Sequence, residues 1–311
     1  MLKLHIKIFI IILLCRGGEV CAQGSFKEKI DTGHSMISEK FGKSVNRLDN
    51  FVFTEKELNK DTGSRIYFFN KISFSNDGQF LNEINYRLSL RLPRLSKSLQ
   101  LSFDSNNKTP VNGNSDEGEV DSSDNRKVEE KVEANLHHFL KLSKLASMRT
   151  SGGLTASSQP QIFSKLYFSR EDSFQYFNMT TYLGSEWYSR DRFSQSSGIT
   201  LSKKISDLST FRYVVEQGWR ESTNIVSLST GPSYIYFLSK RRSIEYNFRF
   251  DYENKPHFYL TNLRFFINYR QKLHKDWLYY DLGPYISFSR EENFKQVHGA
   301  YLKLEVAFGE F

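Results

Sequence analysis

The stretch from Tyr301 to Phe311 constrains the fold more than any other part of the chain. Leu302, Leu304, Val306 and Phe308 share one parity, and Lys303 and Glu305 take the other. That is the period of a β-strand with one oily face and one charged face. The pattern runs to the last residue, Phe311, although chain ends ordinarily fray. An ordered amphipathic strand is expected there when it pairs with the first strand, because closure of a sheet removes its open edges. The fold expected is all-β: a transmembrane antiparallel up-and-down β-barrel with a short amino-terminal helical extension.

The opposite end of the chain is consistent with export. Lys3 and Lys7 precede an apolar core from Ile8 to Leu14, and Val20 and Ala22 stand at the two small positions before a cleavage. Residues 1–22 therefore read as a secretory signal peptide, too short and wrongly flanked for a membrane span. Neither Cys15 nor Cys21 has the small-residue surroundings of a lipoprotein site. Both cysteines leave with the signal, so the exported chain is stabilised by something other than disulfides. Loss of Lys3, Lys7, Arg16 and Glu19 lowers the formal charge from +8 to +6. A basic balance suits anionic lipid headgroups, lipopolysaccharide or a basic lumen. Its cations alternate with Tyr and Phe along strands and do not cluster, which argues against nucleic acid as a partner.

Within residues 23–63, Phe26, Ile30, Ile37, Phe41, Val45, Leu48 and Val52 recur at steps of three, four and seven. This is an amphipathic helix, weakened by Gly33 and Gly42, that lies against the barrel mouth or plugs it. From Ser64 to Phe311 the period is two. Ile84, Tyr86, Leu88 and Leu90 alternate with Asn85, Arg87, Ser89 and Arg91. Ile244, Tyr246, Phe248 and Phe250 alternate with Glu245, Asn247, Arg249 and Asp251. Residues 104–130 are polar and read as a long solvated outer loop. Glu171–Ser173 reads as a tight turn, and Gly152-Gly153 as a bend or bulge in a weak strand from Ser147 to Thr155. The count is fourteen strands, or twelve without the weak one. Alternate connections are short, as on the periplasmic side of such barrels. No apolar run is long enough for a membrane helix. A soluble sandwich shares the alternation, but 17 tyrosines and 27 phenylalanines, many at strand ends, fit an interfacial aromatic girdle better.

Little here points to chemistry. His34 and Ser35 are adjacent, and their side chains diverge. His137 and His138 fall on opposite faces of one strand, and the other histidines are too dispersed for a metal site. No catalytic residue, metal ligand or cofactor is expected. What the alternation does supply is an inward charged set: Arg87, Arg91, Arg212, Glu216, Arg220, Glu245, Arg249, Asp251, Arg264, Arg270, Lys303 and Glu305. Such a set either stiffens the interior as cross-strand pairs or selects anionic and polar solutes. The functions expected are a narrow channel or transporter for such solutes, or a non-conducting barrel acting through its outer loops.

The segment Arg270-Gln-Lys-Leu-His-Lys-Asp-Trp-Leu-Tyr-Tyr280, with Gly283-Pro284, Arg290-Glu-Glu-Asn-Phe294 and Leu302–Gly309, resembles a family of uncharacterised outer-membrane proteins of Gram-negative bacteria. Arg47–Phe51 and Leu90–Leu95 resemble it more loosely. The resemblance implies an exported outer-membrane barrel with an amino-terminal extension, and it brings no functional residues with it. The terminal Phe311 also resembles the signal by which the barrel-assembly machinery recognises its clients. Gly309 puts Phe311 out of phase with Phe308.

Overall fold

The computed structural model describes residues 26–52, 64–91, 98–105, 132–274 and 277–309. One helix, α1 (Phe26–Val52), precedes fourteen strands. They are β1 (Arg65–Ser75), β2 (Phe80–Arg91), β3 (Leu99–Asp104), β4 (Val132–Lys141), β5 (Ala146–Ala156), β6 (Gln161–Ser173) and β7 (Asn178–Tyr188). Then follow β8 (Arg192–Ser206), β9 (Ser209–Arg220), β10 (Ile225–Ser239), β11 (Arg242–Glu253), β12 (Tyr259–His274), β13 (Leu278–Ser289) and β14 (Gln296–Gly309). Each strand pairs with its sequence neighbours, and β14 closes on β1 from Arg65↔Gly309 to Ser75↔Gly299. The result is a closed fourteen-strand antiparallel barrel, as the alternation required.

The register assigns one parity of every strand to each side of the wall. Ile162, Leu154 and Phe74 are 59%, 58% and 57% exposed, whereas Phe163 and Tyr301 on the other side are 2% and 1%. Large apolar side chains thus clothe the outside, and charge lines the inside. That inversion is stable only where hydrocarbon replaces water around the belt.

Three sequence expectations change. Glu171–Ser173 is not a turn: β6 continues to Ser173, and the chain reverses at 174–177, where the Phe174 amide bonds the Phe177 carbonyl. The error arose because acidic and serine residues read as turn formers, although Asp172 faces Met179 across the ladder. Gly152-Gly153 makes no bulge, since both residues hold register with β4 and β6. A Cβ at Gly153 would overlap the Ala134 carbonyl oxygen of β4 and meet the Phe163 ring at 2.8 Å, so the glycine lets both close in. Finally, Asp104 belongs to β3 and not to the loop; residues 106–131 lie outside the described residues, as do 92–97, the cleavage site and Phe311.

Two Gly-Pro pairs mark where the ladder breaks. Pairing of β10 with β11 skips Gly231-Pro232, and pairing of β12 with β13 skips the strand opposite Gly283-Pro284. Proline has no N–H to donate, and the preceding glycine lets the neighbouring backbone close in. A Cβ at Gly231 would overlap the Phe248 carbonyl oxygen.

Helix α1 runs unbroken through Gly33 and Gly42. It meets the barrel where β14 extends past the start of β13. His34 Nε2–H donates to the Ala307 carbonyl at 2.7 Å, and Ser38 Oγ accepts from the Gly309 amide at 3.3 Å. The imidazole stacks on Trp277 with centroids 4.0 Å apart. Backbone groups of β14 that β13 leaves unpaired are thereby satisfied by side chains of the helix. Gly309 ends the strand at φ 122°, beside the Ser64 carbonyl, a place no larger residue fits.

Candidate functional site

The inner wall is the surface with chemical content. Cross-strand register puts all twelve charged residues of the sequence set on the inward parity. They do not form one site. Arg87 Nε donates to Asp104 at 2.8 Å, joining β2 to β3. Arg270 bridges two carboxylates, Asp281 at 3.0 Å and Glu305 at 2.8 Å, across β12, β13 and β14. Arg264 reaches Asp251 at 2.9 Å, and the Ser229 hydroxyl donates to the same carboxylate at 2.7 Å. Arg212 stands 4.0 Å from Glu245. Lys303 lies over the Phe69 ring, and Glu216 sits half-buried on β9. Arg91 and Arg220, the last residues of β2 and β9, are exposed at opposite ends of the barrel.

Arg249 differs from the rest. It faces Arg264 directly across the β11–β12 ladder, and its other flank is the Gly231-Pro232 break. Its Nη1 is buried and has no hydrogen-bond partner among the described residues. Two guanidinium groups side by side, with Asp251 engaged by Arg264, leave a net positive locus on this wall. In a medium of effective dielectric about 20, a unit charge about 4 Å away is worth roughly 4 kcal/mol.

The β4–β7 arc carries a second cluster that the twelve-residue set omits. Lys165 Nζ donates to Glu133 at 2.7 Å, with both side chains about 5% exposed or less. The Tyr188 hydroxyl donates to the other Glu133 oxygen at 2.9 Å, and Lys165 lies over the Phe163 and Tyr188 rings. Arg149 stacks 4.8 Å from the Tyr167 centroid, and the Tyr167 hydroxyl donates to Glu186. Period-two parity in 161–169 was the signal for Lys165. Glu133 was hidden because it borders a polar stretch that reads as loop.

The same arc brings together a histidine and two serines that sequence spacing kept apart. His137 Nδ1 is 2.7 Å from Ser151 Oγ, and its Nε2 is 2.8 Å from Ser102 Oγ. Ser102 donates its proton to Asp104 at 3.1 Å, so Nε2–H donates to Ser102 and Nδ1 accepts from Ser151. Ser102 and Ser151 are 3% and 7% exposed. A nucleophile needs room for a carbonyl and donors for its oxyanion, and both hydroxyls are buried. The group ties β3, β4 and β5 together by side-chain hydrogen bonds. His138 is on the outer parity, and no cluster of three metal-ligating side chains occurs among the described residues.

Glycines decide how much of the interior the aromatic rings occupy. Phe163, Tyr167, Tyr182, Tyr285 and Tyr301 stand directly opposite Gly153, Gly184, Gly198, Gly299 and Gly283. Each ring lies where the missing side chain would be. The rings lie along the wall, so their burial measures packing on the wall. By contrast, β8 presents Ser194, Ser196, Gly198, Thr200 and Ser202 inward, and β10 presents Ser227, Ser229, Gly231 and Ser233.

No protein-family profile and no curated protein sequence matches the chain. Solved barrels resemble it at low identity. The outer-membrane protein OmpT of Vibrio cholerae is 8% identical, with 82% of this chain and 100% of that chain covered and a TM-score of 0.47. The outer-membrane channel DcaP of Acinetobacter baumannii is 8% identical, covers 80% and 99%, and has a TM-score of 0.46. The KdgM porin, solved with oligogalacturonate, is 6% identical over 77% and 98%, with a TM-score of 0.36.

Proposed function

We propose that the protein is an outer-membrane channel that passes small polar solutes and favours anionic ones. The observation that carries this reading is Arg249: an inward guanidinium whose buried Nη1 has no hydrogen-bond partner among the described residues, beside a second arginine and a proline-broken ladder. The serine and threonine side chains and the glycines of β8 and β10 support it, since they leave the neighbouring wall low and hydroxylated. A solute carboxylate or phosphate would exchange its water for fixed N–H groups, as at charged constrictions generally. The reading includes a signal peptide cleaved near Ala22, α1 on the periplasmic side, a setting in lipid and lipopolysaccharide, and delivery through the assembly machinery by the strand ending at Phe311.

Reconstitution of the mature chain in planar bilayers tests the proposal. A salt gradient should give a reversal potential displaced toward that of chloride, and Arg249→Gln should reduce the displacement at unchanged folding. Absence of conductance, with and without residues 23–63, overturns the channel reading in favour of a structural or interaction barrel.

A further inference from the structure

We infer that the inner wall of β4–β7 holds a binding site for a small amphipathic anion, a carboxylate carried on an apolar body, at the barrel end where α1 docks. A cavity of about 550 Å³ opens there, within the range of ligand pockets. It is roofed by the short turn 142–145 and lined on its inner side by Arg149, Lys141 and Ser147. Lys144 comes from the turn itself. Three cations thus face the space against a single lining carboxylate, Glu171.

Arg149 is the residue that points to a ligand. Its Nε is buried without a hydrogen-bond partner, and no carboxylate pairs with the guanidinium among the described residues. Its plane is backed by Tyr167, which Glu186 and Gly184 hold in place. A cation anchored on one face by an aromatic ring keeps its edge for an incoming anion. The Ser147 and Ser169 hydroxyls, 2.8 Å apart, add donors beside it. Polar groups occupy only part of the lining; Phe139 and Leu145 make an apolar flank, and both are more than two-fifths exposed. A hydrophilic anion would use the guanidinium and waste that flank. An amphipathic acid uses both.

The inference is independent of conduction, because binding is read on the isolated protein. Titration calorimetry of benzoate into the detergent-solubilised full mature chain should show saturable binding with one site. Acetate, which lacks the apolar body, and benzyl alcohol, which lacks the charge, should each bind at least tenfold more weakly. Arg149→Gln should weaken benzoate tenfold or more, and Lys144→Glu, on an exposed turn that carries no fold risk, severalfold. Resistance to unfolding in cold detergent verifies each variant's barrel. Equal binding of acetate and benzoate, or benzoate binding indifferent to both Arg149→Gln and Lys144→Glu, overturns the site. A protein that binds benzoate but conducts no ions would refute the channel and leave this site standing.

Discussion

The two arcs of the inner wall, β4–β6 and β8–β10, are built on opposite rules. The first is crowded: Glu133, Lys165, Tyr167 and His137 fill it, and each of the four is bonded to a side chain on another strand. The second is sparse, with serine, threonine and glycine on β8 and β10 flanking the charged β9 between them. Both arcs share antiparallel pairing and outer apolar clothing. The difference is therefore not needed to make a barrel. Away from the cavity under turn 142–145, bonded side chains fill the first arc, and the second leaves space beside it.

The sharpest way to break this contrast is to remove a charge from the crowded arc. Lys165→Ala would strand Glu133 in a site that water barely reaches, with only the Tyr188 hydroxyl still donating. Loss of one partner of a buried ion pair costs about 3–5 kcal/mol. Denaturant unfolding should show a fall of that size, whereas Ser196→Ala in the sparse arc should stay within about 0.5 kcal/mol. If the two substitutions cost alike, the arcs are not different in kind.

The next test fills the sparse arc. Thr200→Trp places an indole in the space that β8 leaves low, where Val214 of β9 is its inward cross-strand neighbour. Single-channel conductance should fall by more than half at unchanged folding. Arg249→Glu should leave conductance similar but reverse ion preference, because it replaces an inward guanidinium by a carboxylate beside Arg264. Conductance indifferent to Thr200→Trp would place the solute path elsewhere.

A smaller effect probes how rings are kept along the wall. Gly198→Ala sets a methyl group where the Tyr182 ring lies. Overpacking of that kind costs typically about 1–3 kcal/mol, and the ring relieves it by swinging inward. Stability should drop modestly and conductance with it. Gly218→Ala, on β9, meets only the Ser227 hydroxyl and should do less on both counts.

How much of this was legible beforehand follows from what alternation encodes. Period two reveals which side a residue faces, so strand number and the inward parity of Arg87, Arg249 or Lys303 could be read without coordinates. It carries no register. Lys165 meeting Glu133, His137 meeting Ser102 and Ser151, and aromatic rings meeting glycines are all facts of register, set by strands far apart in the chain. The strand end at Ser173 was misplaced for a related reason: Asp172 looks like a turn residue until its pairing with Met179 and the Arg170 guanidinium at 2.8 Å is seen.

The smallest expected effect concerns α1, which belongs to neither arc. His34 contributes a hydrogen bond to Ala307 and a stacked ring on Trp277. These are worth about 1 kcal/mol for the bond and about 0.5–1.5 kcal/mol for the ring pair. Glu39, whose carboxylate Lys43 holds below the usual range, sits on the solvent side of the same helix and adds nothing to docking. His34→Ala should therefore loosen the helix and leave the barrel's unfolding within about 0.5 kcal/mol, since the β1–β14 ladder runs to Gly309 without it. Protease cleavage within residues 26–52 should accelerate about tenfold, following the equilibrium between docked and released helix. If barrel unfolding falls in step with helix release, the β14 groups that His34 and Ser38 satisfy are part of closure itself, and α1 is a structural element of the wall rather than a strut at its rim.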